Sequence, residues 1–275
     1  TIGDYKITSR YCGGFGNQIL TCDDHVLIGS YYSVYIYKFD GQHIEHLQTI
    51  DFNESATIVK MKVSGSTLAL GVDEYDGNKV LIYERNDNAW TFRQEIKSQR
   101  SGDGFGISID IDGDYMVIGE PGQRPFGSAG LTEGRIYIYQ KISGSWTKVN
   151  EFTAKEPVEG DEFGRTVAVN NDMAIAGSWW TYAHIYKNNG PWSFSGLDTI
   201  SVSAVFHSDS SFLFFDSGMR LRSFILEEDG YFSFYPVTFS FGTDLIISFD
   251  MTDRYALATG STANKCYLLK SGTTG

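Results

Sequence analysis

The chain has 275 residues, of which 41% are apolar and 15% aromatic, so there is ample material for a core, and no apolar run reaches the roughly eighteen residues that a membrane-spanning helix needs. Twenty-two Lys and Arg against 34 Asp and Glu leave a net charge of −12, which weighs against a phosphate backbone or an anionic membrane as partner and also keeps a surface soluble. Three cysteines, an odd number, define no disulfide framework.

In chain order, the same unit recurs. Phe15-Gly16 precedes NQILTCDDHVLIG, and residues 56–71 repeat the strand pair without the Phe-Gly. The clearest copy is residues 102–122, GDGFGISIDIDGDYMVIGEPG. Ile107, Ile109 and Ile111 alternate with Ser108 and Asp110, the period-two signal of a strand, and a second apolar run from Tyr115 to Ile118 ends at Gly119. Asp112-Gly113 between the runs predicts a two-residue hairpin turn with positive φ angles. Phe163-Gly164 with RTVAVNNDMAIAG restarts the pattern, and two further copies keep mainly strand rhythm.

Third strands align as Ile36-Tyr37, Ile82-Tyr83, Ile138-Tyr139, Ile185-Tyr186, Phe224-Ile225 and Leu268-Leu269. Fourth strands are expected at residues 43–50, 90–96, 146–152, 192–200 and 231–239. A four-stranded antiparallel sheet of this size cannot bury both faces alone and needs like neighbours, the logic of a propeller blade. The prediction is a single all-β domain, residues 1–275, forming a six-bladed β-propeller of four-stranded antiparallel blades. The blades span 9–50, 51–97, 98–153, 154–200, 201–239 and 240–275, with residues 1–8 as the outer strand of the last. That pairing of the chain ends leaves no long unpaired edge. It also brings Cys12 and Cys266 near one face, where a bridge between them is one alternative and two buried, unbridged thiols the other. No signal peptide is visible, and Thr1 reads as the start of a processed or trimmed chain.

The Phe-Gly turns and the runs that follow them resemble FG-GAP repeats, the unit of integrin-α-type propellers. The resemblance implies the propeller fold and a habit of binding, but no ligand. It also implies calcium loops between first and second strands. Asp110, Asp112 and Asp114 look like one, but the glycine interrupts the run at Gly113 instead of following the third aspartate, and the turn is too short to wrap six oxygens round an ion, so neither metal nor cofactor is expected. His43 and His46 should point to opposite faces of a strand and cannot share a zinc. Gly102, Gly104 and Gly106 precede a strand rather than a helix, which argues against a phosphate cradle. HExxH, GxSxG and sialidase-type SxDxGxTW boxes are all missing, and the chain reads as non-catalytic.

In a propeller the loops joining second to third strands and those joining blades share one face. Here they carry Tyr31 and Tyr32, then Tyr75 beside Asp73, Glu74 and Asp76, then Glu120, Arg124 and Phe126, then Trp179, Trp180 and Tyr182. So many aromatics at chain reversals predict a ligand-binding face, because rings with polar tips give contact area at low entropic cost and stack on sugars. Folding of the same rings inward as caps is the structural alternative. The interblade loops add Glu54, Asp103, Glu156, Glu159, Asp161 and Glu162, which suits a basic or hydroxyl-rich protein or glycan partner. Asn53-Glu54-Ser55 is an N-glycosylation acceptor triplet and mildly favours an extracellular or cell-surface setting. Two other readings stand beside the binding module: a structural subunit of a larger surface assembly, and a polysaccharide-active enzyme using paired carboxylates.

Overall fold

The computed structural model describes residues 13–75, 77–98, 104–122, 133–155, 162–170, 173–178 and 182–208, together with the strand segments 211–216, 220–226, 232–240, 246–251, 255–260 and 266–270. Side chains are described up to residue 195, Tyr182 excepted. Every regular element among these residues is a strand.

Three consecutive sheets have four antiparallel strands each. The first is β1 (Gln18–Cys22), β2 (His25–Gly29), β3 (Ser33–Phe39) and β4 (Ile44–Asp51). The second is β5 (Ala56–Ser64), β6 (Thr67–Glu74), β7 (Lys79–Asn86) and β8 (Ala89–Lys97). The third is β9 (Ser108–Asp112), β10 (Tyr115–Glu120), β11 (Arg135–Ile142) and β12 (Ser145–Thr153). Then β13 (Thr166–Asn170), β14 (Met173–Gly177) and β15 (Tyr182–Asn188) lead into a 17-residue strand, β16 (Trp192–Ser208). Its first part pairs with β15 up to Ser201 and its last part with β17 (Ser211–Asp216). One strand therefore serves as the outer strand of one blade and the inner strand of the next. The seven-stranded sheet continues through β18 (Arg220–Leu226) and β19 (Phe232–Ser240). A three-stranded sheet follows, β20 (Ile246–Met251), β21 (Tyr255–Gly260) and β22 (Cys266–Lys270).

The 112–115 hairpin differs by one residue from expectation. Asp112 pairs with Tyr115, so the turn residues are Gly113 and Asp114, and Gly113 takes the left-handed backbone at φ 53°. An Asp at the end of a strand can still pair, whereas the left-handed position favours Gly.

The sheets pack face to face, and strand parity sorts each side chain to one seam. Leu68, Leu70 and Val72 of β6 join Leu27, Val34 and Ile36 of the first sheet, while Ala69 between them joins Phe105, Ile109 and Met116 of the third. Both faces being buried, the strands read as continuous apolar runs rather than alternating ones. Val117, Ile136 and Ile138 meet Phe163, Val169 and Tyr186 in the same way at the next seam.

The Phe-Gly turn has a defined job. Gly14–Asn17, Gly104–Ile107 and Glu162–Arg165 each close an i→i+3 turn with positive φ at Gly16, Gly106 and Gly164. The glycine N–H donates to the carbonyl of the second-strand glycine in its own blade: Gly16 to Gly29, Gly106 to Gly119, Gly164 to Gly177. The glycine carbonyl rests on the second-strand glycine of the preceding blade, Gly106 on Gly71 and Gly164 on Gly119, where a Cβ would stand well inside 3.0 Å. The phenylalanine meets the ring two residues before the third-strand tyrosine: Phe15 with Tyr35, Phe105 with Tyr137, Phe163 with His184. The second blade lacks the Phe-Gly and has Leu81 at that position, so the two features vary together.

The outer strands are tied as well. Leu47, Arg93, Val149 and Ser195 are the extra residues where β4, β8, β12 and β16 bulge, each opposite the step that follows Ile36, Ile82, Ile138 or Ile185. The residue of the outer strand opposite Ile36 or Ile82 is Gln48 or Gln94, whose amide makes two bonds to the backbone of the next blade's tryptophan, Trp90 or Trp146, at 2.8–2.9 Å.

Candidate functional site on the loop face

The β2–β3 loop is held from beneath. Ser30, 1% exposed, donates to the Ser33 carbonyl and accepts from the Ser33 N–H, which fixes the two tyrosines between them. Tyr31 lies over the Gly13-Gly14 backbone and is 47% exposed; Tyr32 meets it edge to face at 6.2 Å. Their carbonyls accept from Ile58 N and Phe52 N, both 2.8 Å, so the pair is pinned against the connection from the first blade to the second.

That connection holds Asn53, whose side-chain oxygen accepts from the Ser55 hydroxyl at 2.6 Å, and Glu54, exposed and with no ion-pair partner among the described residues. On its other flank β5 pairs with β6 in the register Ala56↔Glu74 and Thr57↔Asp73, so Tyr75 is the next residue beyond the ladder. Tyr75 is fully exposed, at 104% of its reference area. Glu74 does not share that exposure: Lys79 Nζ takes it at 2.6 Å and reaches Glu95 at 3.6 Å, and Asn78 donates to Asp73. The β6–β7 loop is thus braced while its tyrosine is free.

Glu120 stands elsewhere than on the surface. It is 0% exposed, and its carboxylate accepts from the Ser98 hydroxyl and from Tyr137 Oη. Burial and this bonded carboxylate push the Tyr137 hydroxyl far above the ordinary phenol range, so it stays a donor. Glu120 follows Gly119 in the ladder, opposite Arg135, and its alternation sends it under the loop. Arg124, Phe126, Trp179, Trp180 and the side chain of Tyr182 lie outside the described residues, as do Cys12, Asp76, Asp103, Glu156, Glu159 and Asp161 and the side chain of Cys266. Cys266 does begin β22, as expected. Glu162 opens the third Phe-Gly turn at φ 53° and pairs with Arg165 at 2.7 Å.

Asp110 is 4% exposed and bonded on both sides, to Lys62 Nζ of the second blade at 2.6 Å and to Val169 N of the fourth at 2.8 Å. It joins three inner strands, β5, β9 and β13. Asp112 and Asp114 lie at and beyond the strand end, and among the described residues no three His, Cys, Asp or Glu side chains converge as a metal site. His43 sits in the turn before β4 beside Asp40, and His46 lies on Tyr37. Sequence reading missed the Asp110 staple, although an acidic residue in the middle of an apolar inner strand was its visible sign.

On the opposite face the third-strand ends of the second, third and fourth blades each reach back to the preceding blade, with different chemistry each time. Arg85 contacts Asp23 and His25, Lys141 pairs with Glu84 at 2.8 Å, and Asn188 donates to Tyr115 Oη at 2.8 Å. The free thiol of Cys22 donates to Gly65 O there, and burial raises its pKa, the reverse of what a nucleophile needs.

A succession of small antiparallel sheets stacked face to face, with inner strands side by side and loops gathered on one face, is a β-propeller. More particularly, residues 97–139 and 146–191 match the FG-GAP repeat family model. Solved structures of similar fold include a protein from Lactobacillus plantarum, with TM-score 0.66 and 13% identity over 93% of this chain and 80% of that one. Another is Hsv2 of Kluyvelomyces marxianus, at 0.60 and 10% over 94% and 76%. The computationally designed protein Ika8 gives 0.55 and 9% over 94% and 84%. Identities this low speak for the fold alone. No curated protein matches the chain.

Proposed function

We propose that the chain is a six-bladed propeller whose loop face is a non-catalytic recognition surface, displayed outside the cell or on its surface, for a protein or glycan partner. The observation that carries the binding reading is Tyr75, fully exposed on a loop that ion pairs hold still, with half-exposed Tyr31 across the same blade connection. A large ring left in water on a braced loop contributes nothing to the core and is preorganised to contact another molecule.

Closure is supported by two comparisons between equivalent positions. Ile19 is 58% exposed, whereas Ile109 and Val167, its counterparts in β9 and β13, are 3% and 6% exposed against the preceding blade. Ile19 therefore has the residue type for a neighbour on that side. Gly260 pairs with Ile246 as Gly119 pairs with Ser108, so the sixth blade carries the glycine on which a Phe-Gly carbonyl rests, and Gly16 is the carbonyl left to fill it. Residues 1–8 would complete that blade.

The test is binding of the purified chain to arrays of glycans and of extracellular proteins, repeated with Tyr75→Ala, Trp179→Ala and Trp180→Ala. Affinity should fall by roughly 1–4 kcal/mol per truncation, as at other hot spots, with thermal stability unchanged. Binding by no array member, or a collapse of stability in these variants, would remove the reading.

A further inference from the structure

We infer that the seam between the first two blades is a docking surface for a cationic protein segment, one presenting Lys or Arg side chains in extended chain. The inference rests on the loop-face reading above and narrows it from partners in general to one chemistry. Three tyrosines and three carboxylates surround a single connection. Tyr31 and Tyr32 flank it on the first blade, Tyr75 on the second, with Asp51, Glu54 and Asp73 along it.

None of those carboxylates has an ion-pair partner among the described residues. Asp51 accepts only a hydroxyl, from Ser33 at 2.7 Å, and Asp73 only an amide, from Asn78 at 3.2 Å. The nearby cations are already engaged: Lys79 with Glu74 and Glu95, and Lys97 with Glu95 at 3.1 Å. Among the described residues, Glu84 and Glu162 are by contrast neutralised within the molecule, by Lys141 and Arg165. The first seam thus combines exposed rings with carboxylates that have no ion-pair partner among the described residues.

That combination fits an ammonium or guanidinium better than a neutral sugar. A cation over a tyrosine face gains from the ring quadrupole, and a carboxylate beside it accepts its N–H donors, so the two features act on the same group. A neutral glycan would use the rings but leave three charged acceptors to be desolvated against hydroxyls. The overall charge of −12 draws such a segment in at long range and repels an acidic one.

The experiment uses the full chain and three fluorescent probes: an alternating Lys/Arg–Gly peptide, its Glu–Gly counterpart, and a neutral β-linked oligosaccharide. Binding is followed by anisotropy at low and physiological salt. The cationic peptide should bind and the acidic one should not. Glu54→Gln with Asp73→Asn should weaken the cationic peptide about tenfold, and Tyr75→Ala by a similar factor, in line with charged and aromatic hot spots. Asp87→Asn with Asp114→Asn, which removes the same charge from the opposite face, should change affinity by less than about twofold. Equal losses in both charge pairs would mean attraction by net charge alone, and absence of binding would mean no such surface; either overturns the inference. Oligosaccharide binding that survives Glu54→Gln with Asp73→Asn but is lost in Tyr75→Ala would overturn the cationic assignment while leaving the loop-face reading intact.

Discussion

Gly119→Ala tests the blade-to-blade contact directly. Gly119 has no positive φ, so alanine fits its backbone, and by unfolded-state entropy alone the substitution would stabilise by about 0.4–1 kcal/mol. The contact predicts the opposite sign. The new Cβ would fall inside 3.0 Å of the Gly164 carbonyl and of Ser108 Oγ, and the first of these is backbone that cannot rotate away. Relief requires the fourth blade's turn to lift, which strains or breaks the Ser108 Oγ–Gly164 O bond, 2.7 Å and buried, and loosens the packing of fully buried Phe163. Overpacking of about 1–3 kcal/mol and one buried hydrogen bond of about 1 kcal/mol sum to about 2–4 kcal/mol. Denaturant unfolding measures it, with Gly113→Ala as the control. Gly113 has open space around it and φ 53°, so its alanine variant costs only backbone strain of about 1 kcal/mol. If Gly119→Ala proves no more harmful than Gly113→Ala, glycine at this position does not seat the neighbouring turn and the seam geometry is wrong.

His184 stands where the first and third blades have tyrosine; it is 1% exposed, and burial lowers its pKa to about 4 from 6.5. The unfolded chain takes up the proton first, so stability is fully present above pH 6.5 and falls as the pH drops towards 4, by about 1–3 kcal/mol. His184→Tyr should flatten that part of a stability–pH curve, and an unchanged curve would show that His184 is not the group responsible. Asp110→Ala should cost about 1–3 kcal/mol because it removes the buried acceptor of the Val169 N–H and the carboxylate beside Lys62, with Asp110→Asn milder, both read by chemical unfolding; a neutral alanine variant would deny the three-strand staple. Gly260→Val should lower the melting temperature by the same mechanism as Gly119→Ala if the ring closes, whereas a melting point equal to wild type would mean that no Phe-Gly turn rests there.

Much of the blade was legible in the sequence because each of its strands has a local signal. The Ile-Tyr of the third strands and the tryptophans opening the fourth fall where the ladders put them, and the Phe-Gly turns are visible as residue pairs. Glu120 and Tyr75 show the limit. Both were placed on the same set of loops by topology, yet one is buried against Tyr137 and Ser98 and the other stands in water. The difference is a matter of which ladder position each occupies relative to its neighbour, and no local pattern records that. The staple at Asp110 was likewise visible only as an anomaly, since its partners come from strands 48 residues before and 59 after it in the chain.

Sequence alone determined that this chain is built of small antiparallel sheets with a repeated strand order, because strand periodicity, turn glycines and apolar content are properties of neighbouring residues. Tertiary structure decided which glycine seats a carbonyl and which merely turns, which acid is locked in a seam and which is left to meet a partner. Those outcomes depend on contacts between blades, where side chains far apart in the chain compete for the same few ångströms.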